Sequence, residues 1–150
     1  MLLLTKTRLY SHGDEAYIAA ITIAGYEFPS FLRTGSRGGG IGFVTRTTMS
    51  SCVPFRALDY RSFEAVDMHL SLDHVSVVFV CLCRPPPSKH NNLTNSMFLE
   101  EFLELLSQYT DSRRDIVYLG DSNFHCDDSS DGQVSRLKTL LTDHNLTSAR

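Results

Sequence analysis

Three side chains that can take part in hydrolytic chemistry, Asp121, Asn123 and His125, stand at alternate positions just after a short apolar run. The run, residues 116–119, is rich in strand-forming residues and stops at Gly120. Alternate side chains of an extended segment point to the same side. A carboxylate, an amide and an imidazole on one side would supply a base, a positioning group and a titratable donor. The alternation therefore predicts a reacting surface at the carboxyl end of a strand.

The same residues also fit a structural interpretation. Asp and Asn side chains often accept hydrogen bonds from nearby backbone N–H groups, so Asp121 and Asn123 would also suit a surface turn. A further candidate, Arg84, follows the apolar run at residues 75–82. A guanidinium at the end of a strand would bind a phosphate or pair with a structural carboxylate. Residue types and spacing leave these alternatives open.

Length, charge and cysteine content limit the kind of protein that this chain can be. Its 150 residues suit one domain, and a net charge of −3 means that nucleic acid would have to be bound through a local patch. The apolar start, residues 1–4, is too short for a signal peptide or a membrane span. Four cysteines without a secretory signal predict reduced thiols inside a cell, nuclear or cytoplasmic. Cys81 and Cys83 lack a second pair at zinc-finger spacing.

Strands that would position these side chains are predicted in the first two thirds of the chain. Residues 63–70 and 75–82 are expected to form a β-hairpin whose second, almost wholly apolar strand is central in its sheet. Residues 25–32 and 41–47 are expected to form two further strands, joined by a glycine-rich loop that needs positive φ. Residues 17–23 fit a helix or a strand equally well.

Two amphipathic helices are predicted in the last third. The first covers residues 96–109, with Ser96 as N-cap and with Glu100 and Glu101 in the first turn. Its buried stripe is expected to consist of Phe98, Phe102, Leu105, Leu106 and Tyr109. The second covers residues 133–144, with Val134, Leu137, Leu140 and Leu141 on one side.

Both ends of the chain are expected to lie in incomplete strands. Residues 2–4 resemble the end of a buried strand, and residues 146–150 resemble the entry to another. The order of elements predicts one partial α/β domain over residues 1–150. Because unpaired strands expose N–H and C=O groups to other chains, self-association through sheet edges is expected.

Several short stretches agree in order with one family. They are Leu4-Thr-Lys-Thr, Arg37-Gly-Gly-Gly-Ile-Gly42, Ser62-Phe-Glu64, Cys83-Arg-Pro-Pro86, the helix at residues 98–106, Gly120-Asp-Ser-Asn-Phe-His125 and the Leu-x-x-Leu-Leu-x-x-His-x-Leu pattern at residues 137–146. Together they resemble the endonuclease/exonuclease/phosphatase superfamily, and most closely the endonuclease domain of non-LTR (LINE-type) retrotransposons. The aspartate–asparagine motif and the Arg-Pro-Pro turn are the specific parts of this resemblance.

The resemblance implies a four-layered α/β sandwich of two packed mixed β-sheets flanked by helices. It also implies Mg²⁺-dependent hydrolysis of phosphodiesters, with DNA as the partner. In that chemistry, Asp121 would orient or deprotonate the attacking water, and Asn123 would position the scissile phosphate. His125 is usual in the retrotransposon branch without an assigned chemical step, and Arg84 is the candidate phosphate-binding residue.

The sequence also departs from the family pattern. Lys6 stands where the family carries its metal-binding glutamate, and Cys83 stands where it carries a tyrosine. A hard cation needs oxygen ligands, which an ammonium lacks. A divalent ion at about 4 Å from the ammonium would also meet roughly 8 kcal/mol of repulsion at an effective dielectric of about 20. The family's first strand would precede Met1, and its final Asp-His pair would follow Arg150.

These departures predict a truncated or degenerate endonuclease domain with impaired catalysis. The alternative is a non-catalytic module that keeps the sandwich fold and binds nucleic acid or protein.

Overall fold

The computed structural model describes residues 1–9, 14–32, 39–50, 55–72, 75–110, 114–124 and 131–147. The chain divides into two compact units. The first comprises Met1–Pro85 with Arg114–Ser122, and the second comprises Pro86–Arg113 with Asn123–Arg150. Both β-sheets belong to the first unit, and the two longer helices belong to the second. A single domain over residues 1–150 stays a prediction.

Helices interrupt the succession of strands at several points along the described part of the chain. The strands are β1 Leu2–Thr5, β2 Tyr26–Glu27, β3 Ser30–Phe31, β4 Ile41–Arg46, β5 Phe55–Asp59, β6 Glu64–Leu72, β7 Val75–Cys83 and β8 Asp115–Asp121. The helices are α1 Glu15–Ile21, α2 Thr47–Ser50, α3 Asn95–Ser107 and α4 Gly132–Asp143. No helix among the described residues is long and apolar enough to cross a membrane.

The first sheet is built around β4. Strand β1 pairs with it on one side, and β2 and β3 pair with it in antiparallel fashion on the other. The predicted strand at residues 25–32 is therefore two short strands, because Phe28 and Pro29 interrupt it and proline has no N–H to donate to a ladder. Residues 17–23, which fitted a helix or a strand, contain most of α1.

The second sheet has the order β5-β6-β7-β8. The predicted hairpin of β6 and β7 is confirmed, and β7 is central because it pairs with β6 antiparallel and with β8 parallel. Strand β5 was not predicted. Its sequence, Phe-Arg-Ala-Leu-Asp, alternates too briefly to give a clear strand pattern.

The two sheets pack face to face through an apolar cluster. Its buried residues are Ile41, Phe43, Val66, Cys81 and Cys83, with Leu3, Phe31, Phe55 and Leu119 packed against them. The ring of Phe43, from the first sheet, lies 4.8 Å from that of Phe55, from the second. Burying each such aromatic side chain stabilises the fold by about 1.5–3 kcal/mol.

The strands at the sheet edges are less buried than expected. The prediction that residues 2–4 form a buried strand is wrong, because β1 pairs only with β4 among the described residues and leaves Leu2 57% exposed. The apolar run of β8 was also expected to be buried, yet Val117 is 36% exposed. Edge position depends on distant strands, which the apolar pattern of one segment does not record.

The face of β6 that points away from the first sheet carries a buried carboxylate, that of Asp67. Asp67 has no exposed surface, and both of its oxygens accept from Arg56, its register partner on β5. The Nε2 atom of His69 lies 3.5 Å from Asp67, and its Nδ1 atom lies 2.7 Å from Nη1 of Arg114. A buried carboxylate requires such partners, because desolvation without them costs several kcal/mol.

In the second unit, both predicted helices are confirmed with small shifts. The N-cap of α3 is Thr94, whose side chain accepts from Met97 N, rather than Ser96. Because α3 starts earlier than expected, Glu100 and Glu101 lie beyond its first turn. The apolar stripe is buried as predicted, with Leu99 added.

The remaining part of the second unit differs from the prediction at its end. Helix α4 is capped by Asp131, which accepts from Gln133 N at 2.8 Å, and the Thr110 hydroxyl lies 3.2 Å from His144 Nδ1. Residues 145–147 form no strand, although the sequence predicted the entry to one at 146–150. Residues 148–150 lie outside the described part.

One glycine sets how closely β8 approaches β7. Gly120 is the register partner of Leu82 and has φ of +124°. A Cβ atom at this position would stand 1.8 Å from the carbonyl oxygen of Leu82. The strand can therefore reach Asp121 in this register only with glycine at position 120.

We expect Gly120→Ala to lower the free energy of unfolding by more than about 2 kcal/mol, since it combines a strained φ with a backbone clash. Gly132→Ala is the matched control, because a Cβ there meets nothing within 4 Å. That control should change the free energy by less than about 1 kcal/mol. Denaturant unfolding measures both variants, and equal effects would contradict the assigned close approach.

Candidate functional site

Asp121 is the last residue of β8 and lies in a row of polar residues across the second sheet. Its register partner on β7 is Cys83, whose partner on β6 is Glu64, which is paired in turn with Asp59 on β5. Directly paired residues place their side chains on the same face of a sheet. The strand ends therefore bring three carboxylates and one thiol to one face, which is the face that packs against the first sheet.

The carboxylate of Asp121 is already paired with a cation of the chain itself. Lys6 Nζ lies 2.6 Å from Asp121 Oδ2, and the two side chains are 46% and 37% exposed. The hydrogen bond to Asp121 raises the pKa of Lys6 above its ordinary value, burial opposes this rise, and the charge of Asp121 adds to it. Lys6 thus contacts the carboxylate that the sequence resemblance implicates in catalysis.

The segment after β1 is held by the backbone of two glycines. Thr7 N donates to Gly40 O at 3.3 Å, and Arg8 N donates to Gly39 O at 2.9 Å. Lys6 and Arg8 have φ of 56° and 54°, and the two glycines also have positive φ, as predicted for this loop. A Cβ on Gly40 would approach Thr7 Oγ1 to 2.5 Å, so this contact is close.

The glycine loop is tied to the second sheet. Gly40 N donates to Glu64 Oε2 at 2.7 Å. The carboxylate of Glu64 is therefore committed to a backbone amide of the loop. Residues 33–38, the rest of the predicted glycine-rich connection, lie outside the described part.

Arg84, in the first unit, donates hydrogen bonds to the backbone carbonyls of Asp121 and Ser122. Its side chain is fully buried, its backbone N donates to Asp121 O at 2.8 Å, and its Nη1 donates to Ser122 O at 3.3 Å. Burial lowers the pKa of its guanidinium. In this arrangement the guanidinium contacts a backbone carbonyl. Its suggested contact with a phosphate stays a prediction.

The two cysteines of β7 are buried thiols. Burial raises the pKa of Cys81 to about 12, so its thiolate is scarce at neutral pH. Cys83 is the register partner of Asp121 in the row of polar residues described above.

The Mg²⁺ implied by the family does not fit the described residues. No group of three or more His, Cys, Asp or Glu side chains among them is placed to hold a metal ion. Of the two carboxylates nearest in register, Asp121 pairs with Lys6 and Glu64 accepts from Gly40. A hard cation at these carboxylates would have to compete with the Lys6 ammonium and the Gly40 amide for their oxygens.

The predicted alternation of Asp121, Asn123 and His125 does not continue past the strand. Asn123 has φ of 47°, so its backbone is left-handed rather than extended. Asn is among the few residues that adopt this conformation readily, and the sequence pattern does not record it. His125 lies outside the described residues. Phe124 packs in the second unit, with its ring 5.7 Å from that of Phe98.

The sequence marks Lys6 as a departure from the family pattern but does not predict its partner. The two residues of the pair stand 115 positions apart, and no local pattern connects them. Arg8 and the Gly40–Glu64 contact were also missed. The available signal was the polar run Thr5-Lys-Thr-Arg8 directly after an apolar strand.

We expect Asp121→Asn to return the pKa of Lys6 toward its ordinary value, because the carboxylate that holds the ammonium is lost. Since the pKa is raised in the folded state, the pair stabilises the protein below the ordinary lysine pKa and loses this effect as pH rises through the raised value. Both side chains are exposed, so the stabilisation is below about 1 kcal/mol. Titration of the Lys6 side chain by NMR measures the change.

Asp115→Asn is the control for that titration. It removes the same charge from the other end of β8, roughly 20 Å away along the strand. The Lys6 titration should be unchanged in this variant. An unchanged titration in Asp121→Asn as well would contradict the ion pair.

Two solved structures are similar to this chain along most of its length. A humanized D. rerio TDP2 with 14 mutations gives a TM-score of 0.58 at 12% identity, over 90% of this chain and 51% of its own. D. rerio TDP2 in complex with a single-strand DNA product gives a TM-score of 0.50 at 12% identity, over 98% of this chain and 52% of its own. The chain thus spans about half the length of these neighbours.

No family model matches the sequence, and no curated protein sequence is significantly similar to it. At such low identity, the solved structures show the fold alone. The two sheets, the helices and these neighbours confirm the predicted fold class, an α/β sandwich of the endonuclease/exonuclease/phosphatase type.

Proposed function

We propose that this chain descends from a metal-dependent DNA endonuclease domain of retrotransposon origin and has lost the metal-dependent step. The observation that carries the proposal is the contact between Lys6 Nζ and Asp121 Oδ2 at 2.6 Å. The fold supports the phosphodiesterase ancestry, and the sequence motifs alone support the retrotransposon origin. The single-strand DNA product bound to one structural neighbour is consistent with a nucleic-acid partner.

The ion pair bears directly on the proposed chemistry. In a phosphodiesterase of this type, Asp121 would accept a proton from water or orient it for attack on phosphorus. A general base needs an oxygen within hydrogen-bond reach of that water. Here Oδ2 of Asp121 accepts a hydrogen bond from an ammonium, and an ammonium has no oxygen with which to ligate a metal. The same contact therefore opposes both base catalysis and metal binding.

The other site residues take subsidiary roles in this proposal. Asn123 would position a phosphate through its amide, and His125 would lie beside it in the sequence without an assigned step. Arg84 would act on the phosphate site indirectly, since its Nη1 donates to the carbonyl of Ser122. Its positive charge would still favour an anion nearby.

A non-catalytic module that binds nucleic acid or protein is the second candidate function. It is favoured by the exposure of Lys6 and Arg8 at the end of β1, since exposed cations need no metal to attract a phosphate. Self-association through the β1 and β8 edges belongs to the same proposal. Leu2 and Val117 are 57% and 36% exposed on these strands.

We expect no magnesium-dependent nicking of supercoiled plasmid DNA above background, because Asp121 is held by Lys6. Gel separation of supercoiled and nicked forms measures the rate. Asp121→Ala provides the control and should give the same background as the unaltered chain. Nicking that requires magnesium and disappears in Asp121→Ala would refute the loss of catalysis.

We also expect that Lys6→Glu does not restore magnesium binding. The substitution adds one carboxylate beside Asp121, but Glu64 remains committed to the amide of Gly40. Two adjacent carboxylates without further ligands hold Mg²⁺ weakly in the absence of substrate phosphates. Titration calorimetry should show no sub-millimolar affinity in Lys6→Glu or in the uncharged control Lys6→Gln. Sub-millimolar binding confined to Lys6→Glu would show that Lys6 alone blocks the metal.

A further inference from the structure

Two exposed cations, Lys6 and Arg8, stand at alternate positions in a strained segment. Their φ values are 56° and 54°, in the left-handed region that residues other than glycine rarely adopt. Such conformations cost free energy and persist where the surrounding structure holds them, often at binding sites. Asn and Asp adopt the left-handed conformation because their short side chains can form hydrogen bonds with the nearby backbone. The long side chains of Lys6 and Arg8 do not stabilise it in this way.

The surrounding structure holds this segment firmly. The amides of Thr7 and Arg8 donate to the carbonyls of Gly40 and Gly39, and the amide of Gly40 donates to Glu64 on β6. The backbone that carries the two cations is thus held by the loop before β4 and, through Gly40, by β6, while their side chains remain exposed.

Within the described part of the chain, most side-chain N–H donors of Lys6 and Arg8 form no hydrogen bond with the protein. An ammonium has three N–H donors, and the one side-chain contact of Lys6 there is with Asp121 Oδ2. Arg8 contributes five further donors and contacts Asp121 neither by hydrogen bond nor by ion pair in that part of the chain. Donors in this arrangement suit a phosphate group, whose oxygens accept several hydrogen bonds at once.

We propose that Lys6 and Arg8 bind a phosphate group of single-stranded nucleic acid without a divalent metal, and that Asp121 weakens this binding by neutralising Lys6. The inference rests on the proposed descent from a DNA-acting domain for its ligand class. It reverses the role that a metal site would give to Asp121. In a metal site, removal of this carboxylate would weaken phosphate binding, whereas here its removal strengthens binding.

The test is fluorescence anisotropy with a labelled single-stranded oligonucleotide in EDTA. Asp121→Asn should bind about two- to fivefold more tightly, the range expected when one exposed ion pair is removed. Asp115→Asn is the matched control, since it removes the same formal charge from the same strand and should leave affinity unchanged. Unchanged or weaker binding in Asp121→Asn would overturn the inference.

Lys6→Gln and Arg8→Gln keep the inference testable if Asp121→Asn fails to fold. Each should weaken binding and reduce the slope of log affinity against log salt by about 0.7, the value for one phosphate contact on a single strand. Unchanged slopes in both variants would overturn the inference. Replacing EDTA with magnesium should leave affinity unchanged or lower it, and binding that requires magnesium would overturn the inference too.

Inorganic phosphate distinguishes the two sources of the ligand. At equal phosphate concentration, unlabelled oligonucleotide should compete better, and equal or better competition by inorganic phosphate would overturn nucleic acid as the ligand. The nicking assay separates this inference from the proposed function. If nicking is absent and Asp121→Asn does not change binding, the phosphate site is refuted and the proposed loss of catalysis stands. If magnesium-dependent nicking is seen, the proposed loss of catalysis is refuted.

Discussion

Packing of the two sheets against each other is the contact on which the candidate site depends. Lys6 follows a strand of the first sheet, and Asp121 ends a strand of the second. They meet because Phe43 and Phe55 lie against each other in the cluster between the sheets. A fully buried aromatic such as Phe43 contributes about 1.5–3 kcal/mol, whereas an exposed ion pair contributes below about 1 kcal/mol. The apolar cluster therefore places the charges, and the charges contribute little to holding the cluster together.

The ion pair between Lys6 and Asp121 affects the chemistry available to Asp121 more than it affects the free energy of unfolding. The ammonium of Lys6 competes with water or a metal for the Asp121 carboxylate, although the exposure of both side chains keeps the energy of the pair small. A weak contact suffices for this, because a competing divalent ion lacks the oxygen ligands that would repay its dehydration. The pair thus disfavours a divalent ion at Asp121 and contributes little to the stability of the sandwich.

The parts of the fold that could be predicted are those determined by local sequence. The apolar run of β7, the stripe on α3 and the need for positive φ at Gly39 and Gly40 all follow from a few neighbouring residues. Burial of β1 and β8 was predicted wrongly, because edge exposure depends on strands far away in sequence. In the site, the residue types were predictable. The pairing of Lys6 with Asp121 was not, since 115 positions separate them.

The buried carboxylate of Asp67 has a consequence for how this sequence can drift over generations. Removing one member of a buried ion pair costs about 3–5 kcal/mol when both are enclosed, while exchanging both for apolar residues is often neutral. The cost is smaller here because Arg56 is 61% exposed, but Asp67 is not exposed at all. Positions 56 and 67 are therefore expected to covary among related sequences. The ion pair of Lys6 is exposed on both sides and therefore imposes a weaker constraint of this kind.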